Sequence, residues 1–165
     1  MLTRDEQNYL AKIDPKKKIA VLPFDPKAKE AGDLIVKRIK EKLPDVEVSF
    51  MGATALGIAG QNDIDIYALS ESNKFGEYLP ALENLFGKPK HTHKTFVEWK
   101  FQKDGYEIEV YLTESPERQI KVYEILRSNQ KLLEEYEDLK LSFDGKSYKD
   151  YQKAKYEFYS RILKV

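Results

Sequence analysis

Gly52-Ala-Thr-Ala-Leu-Gly-Ile-Ala-Gly60-Gln-Asn-Asp63-Ile-Asp65-Ile66 is the stretch whose reading decides the fold. It is a glycine-rich turn set between two alternating segments. Upstream, 46–51 (VEVSFM) alternates and reads as a strand. Downstream, 63–69 (DIDIYAL) alternates again. Asp63, Asp65 and Tyr67 fall on one face, and Ile64, Ile66 and Ala68 on the other. Residues i and i+2 of a strand project from the same side, so the two carboxylates converge. Magnesium takes hard oxygen ligands, usually a few carboxylates completed by phosphate and water. A turn at Gly52 brings backbone N–H groups close to a phosphate, because no side chain intervenes.

Working outward, 95–102 and 106–113 alternate about Asp104-Gly105, a hairpin turn signal. Glu107 and Glu109 share one face of the second strand, and Ile108 and Val110 the other. If that strand lies beside the Asp63–Asp65 strand, Glu107 or Glu109 supplies a third ligand to a two-metal site. Four acids on one face repel each other, which favours a bound cation; lysines of the C-terminal helices are the alternative partner.

The remaining chain supplies helices. Thr3 and Glu6 have capping-box spacing for a short helix over 3–12. Lys18–Phe24 is a strand or an extended entry, ended by Pro23 and Asp25-Pro26. Helical spacing covers 27–43 and 73–86, then about 116–128, 129–141 and 147–163. The expectation is a single α+β domain over 1–165. A mixed β-sheet at about 19–113 carries helices on one side, followed by a helical C-terminal section at about 116–163.

Composition bounds the function. With 165 residues the chain can bury a real core without staples. It holds no cysteine, which excludes disulfides, thiolate metal sites and a cysteine nucleophile, and fits a cytoplasmic location. Its 28 Lys+Arg balance 28 Asp+Glu, so broad nucleic-acid binding is not expected. No apolar run is long enough for a membrane span. The balance is uneven along the chain: 140–165 holds seven Lys or Arg against three Asp or Glu. A basic C-terminal helix closing over the acidic sheet face suits a phosphate-bearing substrate.

Here the residues resemble a known group. The turn followed by Asp-x-Asp is similar to the signature of polymerase-beta-like nucleotidyltransferases. The whole pattern resembles the GrpB-like family within that superfamily. Four segments carry the resemblance: 21–26 (VLPFDP), 52–66, 126–140 (LRSNQKLLEEYEDLK) and 148–163 (YKDYQKAKYEFYSRIL). It implies the nucleotidyltransferase fold, a phosphate turn at Gly52–Thr54, and metal ligands at Asp63 and Asp65. It also implies that Arg127, Lys140, Tyr151 and Lys155 are polar helical residues facing a triphosphate. Two departures pull in opposite directions. Ala53 stands where the family has serine, leaving Thr54 to supply a hydroxyl. Glu107-Ile-Glu109 stands where GrpB-like proteins often have His-x-His, which restores an acidic third ligand.

The expected function is transfer of a nucleoside monophosphate from a nucleoside triphosphate to a hydroxyl of a small molecule, protein or RNA. Asp63, Asp65 and Glu109 (or Glu107) hold Mg2+ or Mn2+. Gly52 and Thr54 bind phosphate, and Arg127, Lys140 and Lys155 stabilise developing charge. The alternatives are an inactive nucleotide- or metabolite-binding module, and an interaction protein that docks through its C-terminal helices. His91 and His93 read as surface loop rather than metal ligands. Val97, Trp99 and Phe101 read as core, and the tyrosines of the last helix as filling of a helix–sheet seam.

Overall fold

Ile64, Ile66 and Ala68 are fully buried, and the rest of the protein is arranged about that row. The structure is a computed structural model describing residues 1–164. The row belongs to β2 (Ile64–Leu69), the second strand after β1 (Glu47–Met51). The hairpin strands are β4 (Phe96–Lys103) and β5 (Tyr106–Thr113), preceded by a two-residue strand, β3 (His91–Thr92). The sheet order is β1-β2-β5-β4-β3. β2 and β5 run parallel in the centre, and the other neighbours are antiparallel. At the hairpin turn Asp104 and Gly105 both adopt positive φ, 54° and 83°, as a tight two-residue connection requires.

One sheet face is apolar. Ile108, Val110 and Leu112 of β5, and Val97 and Trp99 of β4, continue the β2 row. Two helices cover it: α2 (Pro26–Lys42) through Ile35 and Ile39, and α4 (Phe75–Phe86) through Phe75 and Leu82. Each such side chain contributes about 1.5–3 kcal/mol by leaving water. Trp99 also donates its indole N–H to the Gly87 carbonyl at 2.8 Å, so the ring is buried without an orphaned polar atom.

The other face carries the charged and aromatic residues of the same strands. The C-terminal helices α5 (Glu117–Ser128), α6 (Gln130–Ser142) and α7 (Tyr148–Leu163) flank it. They form their own core from Val122, Leu126, Tyr136 and Phe158, joined by Ile58 from the turn after β1. Within that turn Ala53–Leu56 makes one short helix, α3. The sequence reads this segment as a loop or turn; its one helical turn carries Leu56 onto the C-terminal core.

Lys18–Phe24 does not join the sheet. It runs extended and makes isolated bridges at Lys18–Ser147 and Leu22–Gly60. Ile19 N–H donates to the Lys146 carbonyl, Gly145 N–H donates to the Ile19 carbonyl, and Val21 N–H donates to Asp144 Oδ1. The segment thus ties the α6–α7 connection to the turn before β2. Helix α1 (Arg4–Lys12) begins with the capping box that Thr3 and Glu6 imply. It packs on α7. No helix among the described residues is long and apolar enough to cross a membrane.

Candidate active site

The acidic face is built by register. β2 and β5 align Asp65 with Glu109, and Ile64 with Ile108. Glu107 is therefore beside Asp63, the residue just before β2. Asp63 is fixed from its backbone: the buried Thr54 hydroxyl donates to the Asp63 carbonyl at 2.6 Å. Its neighbour Asn62 takes a left-handed conformation, φ 53°, and bonds Pro23 and Asp25 through its side chain. Gly52 adopts φ 94° and ψ −178°, a region open essentially to glycine alone. A Cβ there would stand 3.1 Å from Asp65 Oδ2, so the glycine lets the turn lie directly on the carboxylate.

Crowding raises both aspartates. Burial, then Glu107 and Glu109, push the Asp63 carboxyl up to about 6. Burial, then Glu109 and Asp63, push Asp65 up to about 7. Asp65 keeps some exposed surface, but that surface opens on the cleft beneath the helices, not on bulk water. The glutamates already have partners. Lys100 of β4 bridges Glu107 at 2.9 Å and Glu109 at 3.3 Å. Tyr111 donates its hydroxyl to Glu109 Oε2 at 2.7 Å. The glutamates' counter-ion thus comes from the neighbouring strand, not from the C-terminal helices.

Those helices supply the opposite wall. Lys140 of α6 is buried, and its Nζ donates to the Tyr151 hydroxyl at 2.5 Å. It also lies 4.7 Å from the centre of the Tyr136 ring. Burial, then the charge of Lys155, lowers its pKa to about 7, while Asp63 and Asp65 work the other way. Lys155 and Tyr151 of α7 line the same cleft as Asp63, Asp65, Gly52 and Thr54. Arg127 does not. It is exposed near the end of α5, over the ring of Tyr123, and lines neither chamber of the cleft.

The cleft has two adjoining chambers. One, about 280 Å³, lies between Gly52, Asp63, Lys140 and Tyr151. The other, about 370 Å³, is lined by Tyr67, Tyr111, Tyr123, Val122 and Leu126. Asp65, Glu109, Lys155, Gln152 and Tyr9 border both. A wider groove of about 550 Å³ runs along the outside of α6 and α7, but the sheet carboxylates do not line it. The cleft, not that groove, gathers the candidate site residues.

Sequence reasoning put Tyr67 on the face of Asp63 and Asp65 but singled out neither Lys100 nor Tyr111. Lys100 had a signal: a two-residue turn at Asp104-Gly105 pairs 103 with 106, and hence 100 with 109. Tyr9 had none, since α1 reaches the cleft only through tertiary packing. His91 and His93 are exposed at the sheet edge, with His93 stacked on Phe96 at 4.3 Å.

Among the described residues no three His, Cys, Asp or Glu side chains are already drawn together around a metal position. The donor set nonetheless fits a divalent cation. Asp63, Asp65 and Glu109 carry hard oxygen atoms, the donor type such a cation takes, and burial with neighbouring acids disfavours charge on both aspartates while no cation is there.

Comparison with known proteins agrees with this architecture. Two solved structures of Cid1 share the fold. One concerns its RNA terminal uridylyl transferase activity, at 17% identity and TM-score 0.53. The other, a Cid1 poly(U) polymerase with MgGTP bound, gives 16% identity and TM-score 0.52. Each match covers 82% of this chain and 44% of the Cid1 chain, so this protein spans less than half of those relatives. No curated protein matches significantly. The family described as GrpB protein matches residues 18–165, nearly the whole chain from the extended segment onward. With its mixed α+β sheet of the nucleotidyltransferase type, the chain belongs to the GrpB protein family.

Proposed function

We propose that this protein is a metal-dependent nucleotidyltransferase, moving a nucleoside monophosphate from a triphosphate to a hydroxyl acceptor. The observation that carries the reading is the opposition of two walls: Asp63, Asp65 and Glu109 on the sheet, and Lys140 and Lys155 on the helices. One neighbour of this fold, a Cid1 poly(U) polymerase, is described with MgGTP bound.

Asp63, Asp65 and Glu109 would hold the metal, with Glu107 paired to Lys100 at the edge of the group. When bound, Mg2+ or Mn2+ lowers the pKa of an attacking hydroxyl and offsets charge on the phosphates. The protein's own residues do the rest. Gly52 gives a phosphate access to the turn backbone. The Thr54 hydroxyl is spent on Asp63, so the phosphate contact at this turn falls to backbone N–H groups. Lys140 and Lys155 face the charge that builds on the departing pyrophosphate. The acceptor oxygen bonds the α-phosphorus, pyrophosphate leaves with the bonding electron pair, and the acceptor proton passes to a carboxylate of the group.

The test is transfer of label from α-labelled triphosphates in Mg2+ or Mn2+ to a range of acceptors. Transfer is expected from the native chain and not from an Asp63→Asn/Asp65→Asn variant; undiminished transfer by that variant would sink the assignment. One observation favours a second reading, a binding module without turnover. Ala53 brings no hydroxyl to the turn, and that of Thr54 is already engaged. Tight triphosphate binding with no transfer to any acceptor would support it.

A further inference from the structure

Lys100 belongs to β4, and its meeting with the acids is set by register. The hairpin puts Lys100 directly opposite Glu109, and Gln102 opposite Glu107. β2 puts Asp65 on the other side of Glu109. Asp65, Glu109 and Lys100 therefore stand in one row across β2, β5 and β4. The Lys100 ammonium reaches both glutamates, at 2.9 Å from Glu107 Oε1 and 3.3 Å from Glu109 Oε1. It lines neither chamber of the cleft, so it meets these acids from the outer side and leaves the ligand space open.

That contact bears on how many cations the acids can take. The cleft offers two positions. On the phosphate side Asp63 and Asp65 share the lining, with Glu109 beside them. In the larger chamber Asp65 and Glu109 remain, but Asp63 does not line it. A cation at the second position would depend on Glu109. Both oxygens of Glu109 are already engaged: Oε1 by Lys100, and Oε2 by the Tyr111 hydroxyl, which donates to it at 2.7 Å. Each oxygen keeps a further lone pair. A divalent ion on Glu109 would nonetheless stand close to an ammonium of like sign, and the two repel. The first position depends on the aspartates instead. Among the described residues neither aspartate forms an ion pair with a lysine or arginine.

We propose that Lys100 takes the place of a second divalent cation, so that the site loads a single Mg2+ or Mn2+, at Asp63 and Asp65 with Glu109 at its side. This use of the acids rests on the nucleotidyltransferase reading. The ammonium supplies part of the positive charge that a second ion would bring. Sheet register holds it there, with or without a ligand. Lys100 is thus a positioning residue: it acts through Glu109 and touches no substrate. The lone ion then serves both the acceptor hydroxyl and the phosphates, while Lys140 and Lys155 share the phosphate charge.

Manganese reports the count without turnover. The probes are Mn2+ alone and Mn2+ with α,β-methylene ATP. Electron paramagnetic resonance of the free ion gives the number bound per chain. The frozen spectrum shows whether bound ions are magnetically coupled, as a pair about 3.5–4 Å apart would be. The native chain is expected to hold one uncoupled Mn2+ when the analogue is bound. Lys100→Met and Lys100→Gln both remove the charge and relieve Glu109 Oε1. Each should hold two coupled ions, the second bound about tenfold more tightly than any further ion on the native chain. Lys100→Arg keeps the charge and should restore the single uncoupled ion, which a role in packing alone would not predict. A coupled pair on the native chain would overturn the proposal by itself, whatever the variants do. A single ion on both charge-removing variants would overturn it too. If the native chain binds the analogue with two ions, only the role of Lys100 falls. If it binds neither Mn2+ nor the analogue, the nucleotidyltransferase reading falls with it.

Discussion

Asp65 shows how much of the site rests on a single position. Its carboxyl is raised to about 7 and that of Asp63 to about 6, chiefly by burial and then by neighbouring acids. In the unfolded chain both titrate near 4. Between these values the folded state holds protons that the unfolded state has released. Their contribution to stability is therefore full below about pH 4 and is lost as pH rises through about 6 and 7. The metal-free protein should thus melt at falling temperature as pH goes from about 4 to about 6, below the range in which Lys140 sheds its proton and works the other way. Asp65→Asn should flatten that slope and melt higher than the native chain at about pH 8. Thermal melts by circular dichroism in chelator, repeated across pH, check this; an unchanged slope would refute it. The Asp-x-Asp pair was legible from alternation alone. The contact that balances the two glutamates was not: Lys100 becomes visible only once the hairpin register is written out.

At the level of elements, sequence periodicity located nearly every helix and strand, because each has one apolar face to bury. It left two alternatives open, strand or extended entry, where pairing partners are remote, and the structure takes the second. Lys18–Phe24 has the composition of a strand, but its hydrogen bonds go to Gly60 and to 144–147, more than a hundred residues on. β3, only His91–Thr92, is too short to show a period. Helix α1 is the element whose role was least visible. Its anchorage is specific: Glu6 accepts from Arg118 Nε at 2.9 Å, and Arg118 also donates to Ser160 at 3.1 Å. Its start depends on the Thr3 cap, which bonds Glu6 N–H at 3.2 Å. Thr3→Ala should cost about 1 kcal/mol, felt locally. Amide exchange should quicken over 4–12, Tyr9 included, while the amides of β2 and β5 keep their protection. Equal loss of protection in the central strands would show that α1 is not a separable flap.

For the whole molecule, the balance of 28 positive and 28 negative residues hides a division. The sheet presents Asp63, Asp65, Glu107 and Glu109, and the helices present Lys140 and Lys155. On the proposed function, a phosphate-bearing ligand with its metal would join the two halves, so it should stabilise the fold as a unit. At about one hundred times its dissociation constant, a triphosphate with Mg2+ should add about 2.7 kcal/mol. Denaturant unfolding with and without ligand measures this, and the Asp63→Asn/Asp65→Asn variant should show almost none of it. The overall fold was legible because sheet and helix patterns succeed one another cleanly. The cleft was only half legible, since its second wall is set by packing between distant helices. The strap formed by residues 17–22 has one more consequence, and it concerns time. Its hydrogen-bond partners at 144–148 are made more than a hundred residues after it. The sheet and its first two covering helices can assemble while the chain is still growing. The cleft cannot, because Lys140, Tyr151 and Lys155 reach the carboxylates only when the strap has something to hold. Newly made protein should therefore be folded in its sheet before it can bind a ligand.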